Sequence, residues 1–383
     1  MARTEIKTET PTTPAEAAEL LRTLAAGGTP LRARGGGTKF AWGAECDPGA
    51  IVSTKSLDEV KEHNAADMTA VLGAGTPLAA AQEAFAESGQ MLALDPPLVD
   101  DAATIGGIIA ANDSGPLRHR YRAPRDLVLG MTVALSDGTL ARSGSRVIKN
   151  VAGYDIAKLF AGSLGTLGLI VEVIVRLHPR PPRPVTVVGE TDDPKVLQRG
   201  SFDVGHAPLE IEAMDVSWRG GTGRVVARFG GVAPEGQSAT ARALLERADL
   251  DVTETDDDAA LWVEQRDGQR AGDDELSVKL SSLPGDLAEI VAATQRFEGS
   301  LVGRGGLGLY WLRAPSTTPV DEVRRELGAL ARHCVLLDAP ADVRAEADVW
   351  GEPDPGMLQL MRAVKSRFDP AGVCAPGLHV GGI

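Results

Sequence analysis

Cysteine is scarce in this 383-residue chain: Cys46, Cys334 and Cys374 are odd in number, far apart, and form no Cys-x-x-Cys pair. That scarcity excludes a self-contained iron–sulfur cluster or structural zinc site and fits a reducing compartment. If electrons leave for such a cluster, another chain must carry it. Positive charge is in deficit too, with 39 Lys and Arg against 53 Asp and Glu and a net charge of −14. A protein that tracks phosphates shows a basic face, so this balance argues against nucleic acid as a partner, and any bound anion must be held locally. No apolar run approaches the roughly 20 residues needed to cross a bilayer, and the N-terminal stretch has no apolar signal-peptide core. The expectation is a cytoplasmic protein with no direct membrane insertion. At 43% hydrophobic and 24% charged residues the composition is that of a soluble globular chain, long enough for two domains.

What the chain has in quantity is glycine, 44 residues, concentrated in three stretches. Residues 32–43 read RARGGGTKFAWG, residues 95–115 read DPPLVDDAATIGGIIAANDSG, and residues 145–170 end in GSLGTLGLI. Glycine removes side chains and admits φ > 0, so successive N–H groups can face inward as a nest for an anion. Gly35, Gly36 and Gly37 offer this directly, with Thr38 as a hydroxyl donor and Arg34 or Lys39 as the charge. In the second stretch Pro96 and Pro97 fix an extended bend, and Thr104, Gly106, Gly107, Asn112, Ser114 and Gly115 keep side chains small. Gly162, Gly165 and Gly168 recur every three residues before an apolar, strand-like run. Such a chain makes room for something flat or phosphorylated. It is no Rossmann device, because Leu78 stands where the third glycine after Gly73 and Gly75 belongs, and Gly37-Thr38-Lys39 does not complete a Walker loop.

Periodicity predicts a helix over 14–25, strands at 31–34 and 51–52, a helix from a Ser56/Glu59 capping box through 66, a strand at 69–72, and a helix after Thr76-Pro77. A hairpin with an Asp-Gly turn follows over 128–142, then a closing strand at 171–177. Prolines at 179, 181, 182 and 184 mark the domain boundary. Beyond it, strands at 185–190, 209–217, 224–229, 275–282, 306–313 and 334–338 alternate with helices near 235–249, 285–297 and 319–332. That order gives an α+β cap with an antiparallel sheet. The acidic run 251–258 reads as a solvated loop. A last helix over 355–368 carries Met357, Leu360, Met361, Val364 and Phe368 on one stripe.

At these residues the chain resembles the FAD-binding family named for p-cresol methylhydroxylase and vanillyl-alcohol oxidase (PCMH type). The loop RGGGTK (34–39), the DPP…TIGG…NDSG segment (95–115), GSLGTLGLI (162–170) and the tail FDPAGVCAPG (368–377) match in order. The run KNVAGYDIAKLFAGSLGTLG (149–168) is similar to FAD-binding subunits of bacterial glycolate oxidases. The resemblance implies an α+β fold: a two-part FAD-binding domain over 1–182, a cap over 183–350, and a helix and tail over 351–383 that return to the FAD domain. It implies that Arg34, Gly35, Gly36, Gly37, Thr38 and Lys39 cradle the pyrophosphate. Pro96, Thr104, Ile105, Gly106, Gly107, Asn112, Ser114 and Gly115 would line the flavin and ribityl chain, and Gly162, Ser163, Gly165, Gly168 and Ile170 would close over adenine and flavin edge. Thr38 stands where covalently flavinylated relatives place a His, and no Cys lies near 115, so the FAD is expected to be non-covalent.

The departures carry information too. Related lactate and hydroxyglutarate dehydrogenases have an H-x-G-D-G-N-x-H segment for a metal, which this chain lacks; no metal is expected. Leu164 replaces the usual Glu before GTLG, and the tail reads Ala375-Pro376-Gly377 rather than Asn-Pro-Gly. These absences fit a glycolate-oxidase type whose sister FAD subunit carries the metal motif and whose iron–sulfur subunit takes the electrons. Hydride transfer to flavin needs a base and a cation for the substrate carboxylate. His119, His206 and His379 remain as bases after His63, His178 and His333 are set aside as structural, and Arg118, Arg304 and Arg313 as cations. The basic run 118–125 is either a solvated loop or a carboxylate or partner surface. Tyr310 and Trp311 read as core, or as pocket walls. The leading reading is a subunit oxidising a 2-hydroxy acid such as glycolate or D-lactate. A stand-alone flavin oxidase of an alcohol or sugar, and a non-catalytic FAD-containing relay or assembly subunit, stay open beside it.

Overall fold

The computed structural model describes residues 6–98, 102–145 and 155–383, so the start of the run 149–168 lies outside the described residues. Helix Pro14–Ala26 begins where the sequence predicts, with the Thr13 hydroxyl accepting from the Glu16 N–H and Pro14 in the first turn. Its face of Ala17, Ala18 and Leu21 is buried against Leu31, Val52, Leu169 and Val171. Those partners come from two sheets. One is parallel, with strands Lys7–Glu9, Ala50–Ser53 and Leu31–Arg34 in that order. The other is antiparallel, in the order Val60–Asn64, Thr69–Gly73, Leu169–Arg176, Val128–Ala134, Leu140–Gly144.

One expectation fails in that second sheet. The predicted helix from Ser56 to 66 is instead strand Val60–Asn64, paired antiparallel to Thr69–Gly73 with Val60 opposite Leu72 and His63 opposite Ala70. Thr69–Gly73 is buried throughout and bonded on its other edge to Leu169–Arg176. Its free edge demands a partner, and that demand outweighs a local capping signal. His63 therefore sits on a strand, bonded through Nε2 to Gln90 Oε1 at 3.0 Å and edge-on to Phe85.

From Val185 onward the chain builds an eight-stranded antiparallel sheet in the order Asp251–Thr255, Val185–Thr191, Thr222–Phe229, Ile211–Arg219, Ser300–Arg304, Leu309–Pro315, Glu275–Ser282, Ala331–Asp338. Helices Pro194–His206, Pro234–Arg247, Leu287–Arg296 and Val320–Leu327 supply Leu197, Leu245, Ile290 and Val323 to the core on one face. The class is α+β. Several local readings are corrected. The acidic run is in part an edge strand, and its last residue, Asp258, is buried, accepting from Thr186 Oγ1 at 2.6 Å and Trp262 Nε1 at 3.0 Å. The predicted helix 319–332 stops at Leu327 because residues 331–338 are needed as the strand beside Glu275–Ser282. Helices Pro194–His206 and Ala259–Asp267 and strand Ser300–Arg304 had no prediction.

Helix Pro355–Phe368 matches its predicted bounds, but its stripe is only half used. Val364 and Phe368 pack on the first core, with the Phe368 ring edge-on to Phe160 at 5.3 Å, while Met357 and Leu360 stay exposed. Lys365, expected opposite the stripe, reaches inward. Its ammonium donates to the Thr166 and Cys374 carbonyls, both at 2.7 Å, and to Asp369 at 2.6 Å. The tail then bonds to the first strands, with the Leu31 N–H on the Val373 carbonyl and the Ala375 N–H on the Leu31 carbonyl. No helix among the described residues is long and apolar enough to cross a membrane.

Candidate functional site

Three glycine-bearing segments meet around a cleft of about 770 Å³. Its walls are the loop 32–40, one side of the helix Ile105–Ala111, and the segment 164–170. Of the sequence-predicted residues, Arg34, Gly35, Gly36, Gly37, Thr38, Lys39, Thr104, Gly106, Gly107, Gly165, Gly168 and Ile170 line it. No backbone N–H of residues 35–39 donates to another described residue. Within the loop only Gly37 takes positive φ, at +90°, so the nest predicted from three left-handed glycines is built differently.

Gly35 and Gly36 are there because two chain segments nearly touch. A Cβ on Gly36 would lie 1.8 Å from the Ala102 carbonyl oxygen, and one on Gly35 would lie 2.0 Å from Thr104 Oγ1. Gly106 serves the same purpose. It is helical, not left-handed, and its Cβ would meet Ala74 at 2.7 Å. The N–H groups of Ile105 and Gly106 are consumed by the Thr76 and Ala74 carbonyls at 2.9 and 2.8 Å, and the Gly107 N–H faces the Thr104 hydroxyl. The helix start therefore packs on the sheet instead of offering free donors, and the loop 35–39 keeps them.

The remaining predicted residues stand outside the cleft. Pro96, Ile105 and Ser114 are buried behind it, and Gly115 packs so closely on Asp95 that a Cβ would fall 1.7 Å from its carbonyl oxygen. Asn112 caps the helix in the left-handed conformation. Ser163 closes a turn onto the Phe160 carbonyl at 2.9 Å. Gly162 belongs to a second cavity of about 710 Å³, which shares Trp42, Ala111 and Leu164 with the cleft. Leu164 takes φ +52°, a conformation costly for a branched apolar residue.

The second cavity lies under the cap sheet, walled by Lys279, Ser281, His333, Val335, Trp350 and His379 among others. Both His379 nitrogens are engaged: Nδ1 accepts from the Val380 N–H at 2.9 Å, so Nε2 is the donor to the Gly162 carbonyl at 3.3 Å. Burial holds its imidazole below the ordinary range, and the ring stacks on Trp350 at 4.5 Å. It has no free lone pair for proton abstraction. His119 lies on the short helix Arg118–Tyr121, near Gly306 of the cap, and lines neither space; burial lowers it as well. Arg118 bonds the Ser114 hydroxyl at 3.3 Å, and the basic run packs against strand Ile211–Arg219. Arg304 is fully buried and Arg313 pairs with Glu275. His206 is exposed and stacks on Phe202; His178 is half-buried against Tyr121 and pushed down to about 4 by burial. Tyr310 and Trp311 are core residues. His333, set aside as structural at a helix end, is on strand Ala331–Asp338 and faces the cavity.

Sequence reasoning missed Lys279. The strand reads Leu276-Ser-Val-Lys-Leu-Ser-Ser282, and Leu276, Val278 and Leu280 fill the core while Ser277, Lys279 and Ser281 point the other way. A lone cation at the centre of a hydrophobic strand was the available signal. It missed the clasp of loop to cap as well. Arg270 makes two bonds to Asp338, at 2.6 and 2.8 Å, donates to the Thr38 carbonyl at 3.0 Å, and lies over Trp42, whose Nε1 donates to Asp338 at 3.0 Å. Both charges are largely enclosed. Asp338→Asn keeps the shape and removes the charge; we expect FAD affinity to fall by about threefold to tenfold, read by fluorescence titration of the stripped chain. An unchanged affinity would mean the loop holds its conformation without the cap.

Among the described residues no group of three or more His, Cys, Asp or Glu side chains is arranged to hold a metal ion. Residues 8–144 match the family described as FAD binding domain. Over 199 residues the chain is 33% identical to an uncharacterized FAD-linked oxidoreductase of Mycobacterium tuberculosis; the match covers 50% of this chain and 43% of that one, so the chain spans less than half of that relative. The glycolate oxidase subunit GlcE of Escherichia coli is 26% identical over 363 residues, 91% of this chain and 92% of the subunit. Among solved structures, alkyldihydroxyacetonephosphate synthase superposes with a TM-score of 0.71 at 14% identity, covering 96% of this chain and 75% of the synthase. The match over residues 8–144, together with the FAD-linked relatives, gives the chain an FAD binding domain, and its cofactor is FAD.

Proposed function

We propose that this chain is the FAD-binding subunit of a glycolate oxidase or dehydrogenase complex, oxidising a small 2-hydroxy acid, glycolate first and D-lactate second, with the electrons passed through FAD to a partner. The observation that carries the reading is the likeness to the Escherichia coli subunit, which runs through nine-tenths of both chains and so includes the cap as well as the flavin segments. In this reading residues 1–182 and 351–383 form the flavin module and 183–350 the cap. The partners are a second FAD subunit with a metal motif and an iron–sulfur subunit, and the complex works in the cytoplasm.

The residues present fit FAD. The five consecutive N–H groups of the loop 35–39 have no acceptor among the described residues, and the loop borders the cleft, which suits a pyrophosphate. Lys39 adds a cation, 3.2 Å from the buried Asp113. Thr38 offers no covalent attachment, so the cofactor is held non-covalently. When bound, FAD supplies the acceptor for the two electrons of the substrate C–H bond. The chain's own part is to hold the cofactor and shut water from the shared wall of Trp42, Ala111 and Leu164.

A second reading, a relay or assembly subunit, is favoured by one fact: of the two histidines named as candidate bases beside the flavin segments, His379 has both nitrogens engaged and His119 lines neither space. One experiment separates the two. The purified chain, anaerobic with glycolate, should show its flavin absorption bleach; bands that persist while the assembled complex turns over would assign oxidation to the sister subunit.

A further inference from the structure

Lys279 is the group that the fold and the flavin account leave unexplained. It is partly buried, at the middle of strand Glu275–Ser282, and among the described residues it makes no ion pair and no side-chain hydrogen bond. Its ammonium lies 5.6 Å from the centre of the buried Trp311 ring, on the neighbouring strand, and borders the second cavity. A lysine is rarely enclosed without a counter-charge, since removing an ammonium from water costs several kcal/mol unless something offsets it.

The surroundings have cations to spare. Arg118 and Arg304 act on Lys279 from the same corner, and the nearby carboxylate, Asp113, is already 3.2 Å from Lys39. Asp95 and Asp215, which also face Arg304, are pushed up to about 7 and about 8 by burial, so their negative charge is partly suppressed at neutral pH. Desolvation pulls Lys279 down to about 8, with Arg118 and Arg304 adding to the fall and Asp113 opposing it. Ser281, one pleat along on the same face, stands opposite His333 in the sheet register, and both border the cavity. Together they present one cation, one hydroxyl and one imidazole beside an apolar wall of Val335 and Leu337.

We propose that this cavity binds a small carboxylate through Lys279, next to the flavin cleft with which it shares Trp42, Ala111 and Leu164. This deepens the glycolate reading and rests on it for the identity of the acid, though not for the existence of the anion site. Ser281 and His333 then serve the acid's remaining oxygens, which separates hydroxy acids from uncharged alcohols and sugars of similar size. Because the cation must be charged, anion binding weakens as pH rises through about 8. His379, its imidazole held below the ordinary range by burial and bonded to Gly162, does not contribute to that fall.

The test uses oxalate, which resembles a 2-hydroxy acid but cannot be oxidised by hydride loss, titrated calorimetrically into the flavin-loaded chain. The expected result is saturable binding to the native chain, about tenfold or more weaker in Lys279→Met and within a few fold of native in Lys279→Arg, with flavin content unchanged in both. Equal binding to native and Lys279→Met overturns the role of Lys279. No binding to a native chain that carries its flavin overturns the carboxylate site altogether. Oxalate binding together with flavin that glycolate fails to bleach leaves the anion site standing and removes glycolate oxidation from this chain, so the two readings fail separately.

Discussion

Gly36→Ala should strip the protein of flavin. The added methyl would sit 1.8 Å from the Ala102 carbonyl oxygen and 2.7 Å from its carbon, both backbone atoms that no rotamer change can move. The loop 35–39 must lift away from the helix start, and its backbone donors are displaced with it. Overpacking of this kind costs about 1–3 kcal/mol and more where backbone must shift, so FAD affinity should fall by about tenfold to several hundredfold. Gly37→Ala is the informative companion. It meets only Arg34 Cδ at 3.9 Å, so its penalty comes from backbone strain at φ +90° alone and should be milder. Fluorescence titration of the stripped variants, with circular dichroism to confirm the fold, reads both. Native affinity in Gly36→Ala would mean the loop and the 102–104 segment separate freely.

Arg304→Met should produce the largest loss of stability. The guanidinium is fully buried, donates to the Ser114 and Gly115 carbonyls at 3.0 and 3.2 Å, stacks over Trp311 at 4.4 Å, and lies 3.6 Å from Asp215. It is the cation shared by two enclosed carboxyls, Asp215 and Asp95. Removing it leaves the buried Ser114 and Gly115 carbonyls and the two enclosed carboxyls without their donor, at a cost of about 3–5 kcal/mol. The pH dependence follows from the same residues. Burial raises both carboxyls, to about 7 and about 8, so the native state keeps protons that the unfolded chain has released. Their contribution to stability is complete below the ordinary carboxylate range and is lost as pH rises through 7 to 8. Urea unfolding at pH 6 and pH 9 should show that fall in the native chain, and Arg304→Met should extend it to higher pH. A variant within about 1 kcal/mol of native at both values would show the carboxyls are solvated in solution.

The cleft was legible because glycine announces itself: no other residue type explains a loop that avoids side chains, and the three stretches lie where the chain comes together. What each glycine does was not legible. Gly35, Gly36, Gly106 and Gly115 look alike in sequence with Gly37 and Gly165, yet the first four allow backbone segments to touch and the last two turn the chain. Strand Val60–Asn64 was misread because its conformation is set by the open edge of Thr69–Gly73, which local signals do not contain. Lys279 was overlooked because a titratable residue was sought among histidines and arginines, whereas its distinguishing mark is the apolar pattern on either side of it.

The bond between Leu31 and the tail also governs how the chain comes to its native state. The Leu31 amide and carbonyl reach Val373 and Ala375, residues that follow the whole eight-stranded sheet. Closing that contact means bringing together points separated by nearly the entire chain, with the entropic cost that long loops carry. Folding of the eight-stranded sheet shortens the effective loop first, because it replaces a long flexible segment by a fixed span between its entry strand Val185–Thr191, near one edge, and its exit strand Ala331–Asp338, at the other. The first strands therefore gain their final neighbour last, and a ribosome still holding the C-terminal helix would be holding an unfinished flavin cleft.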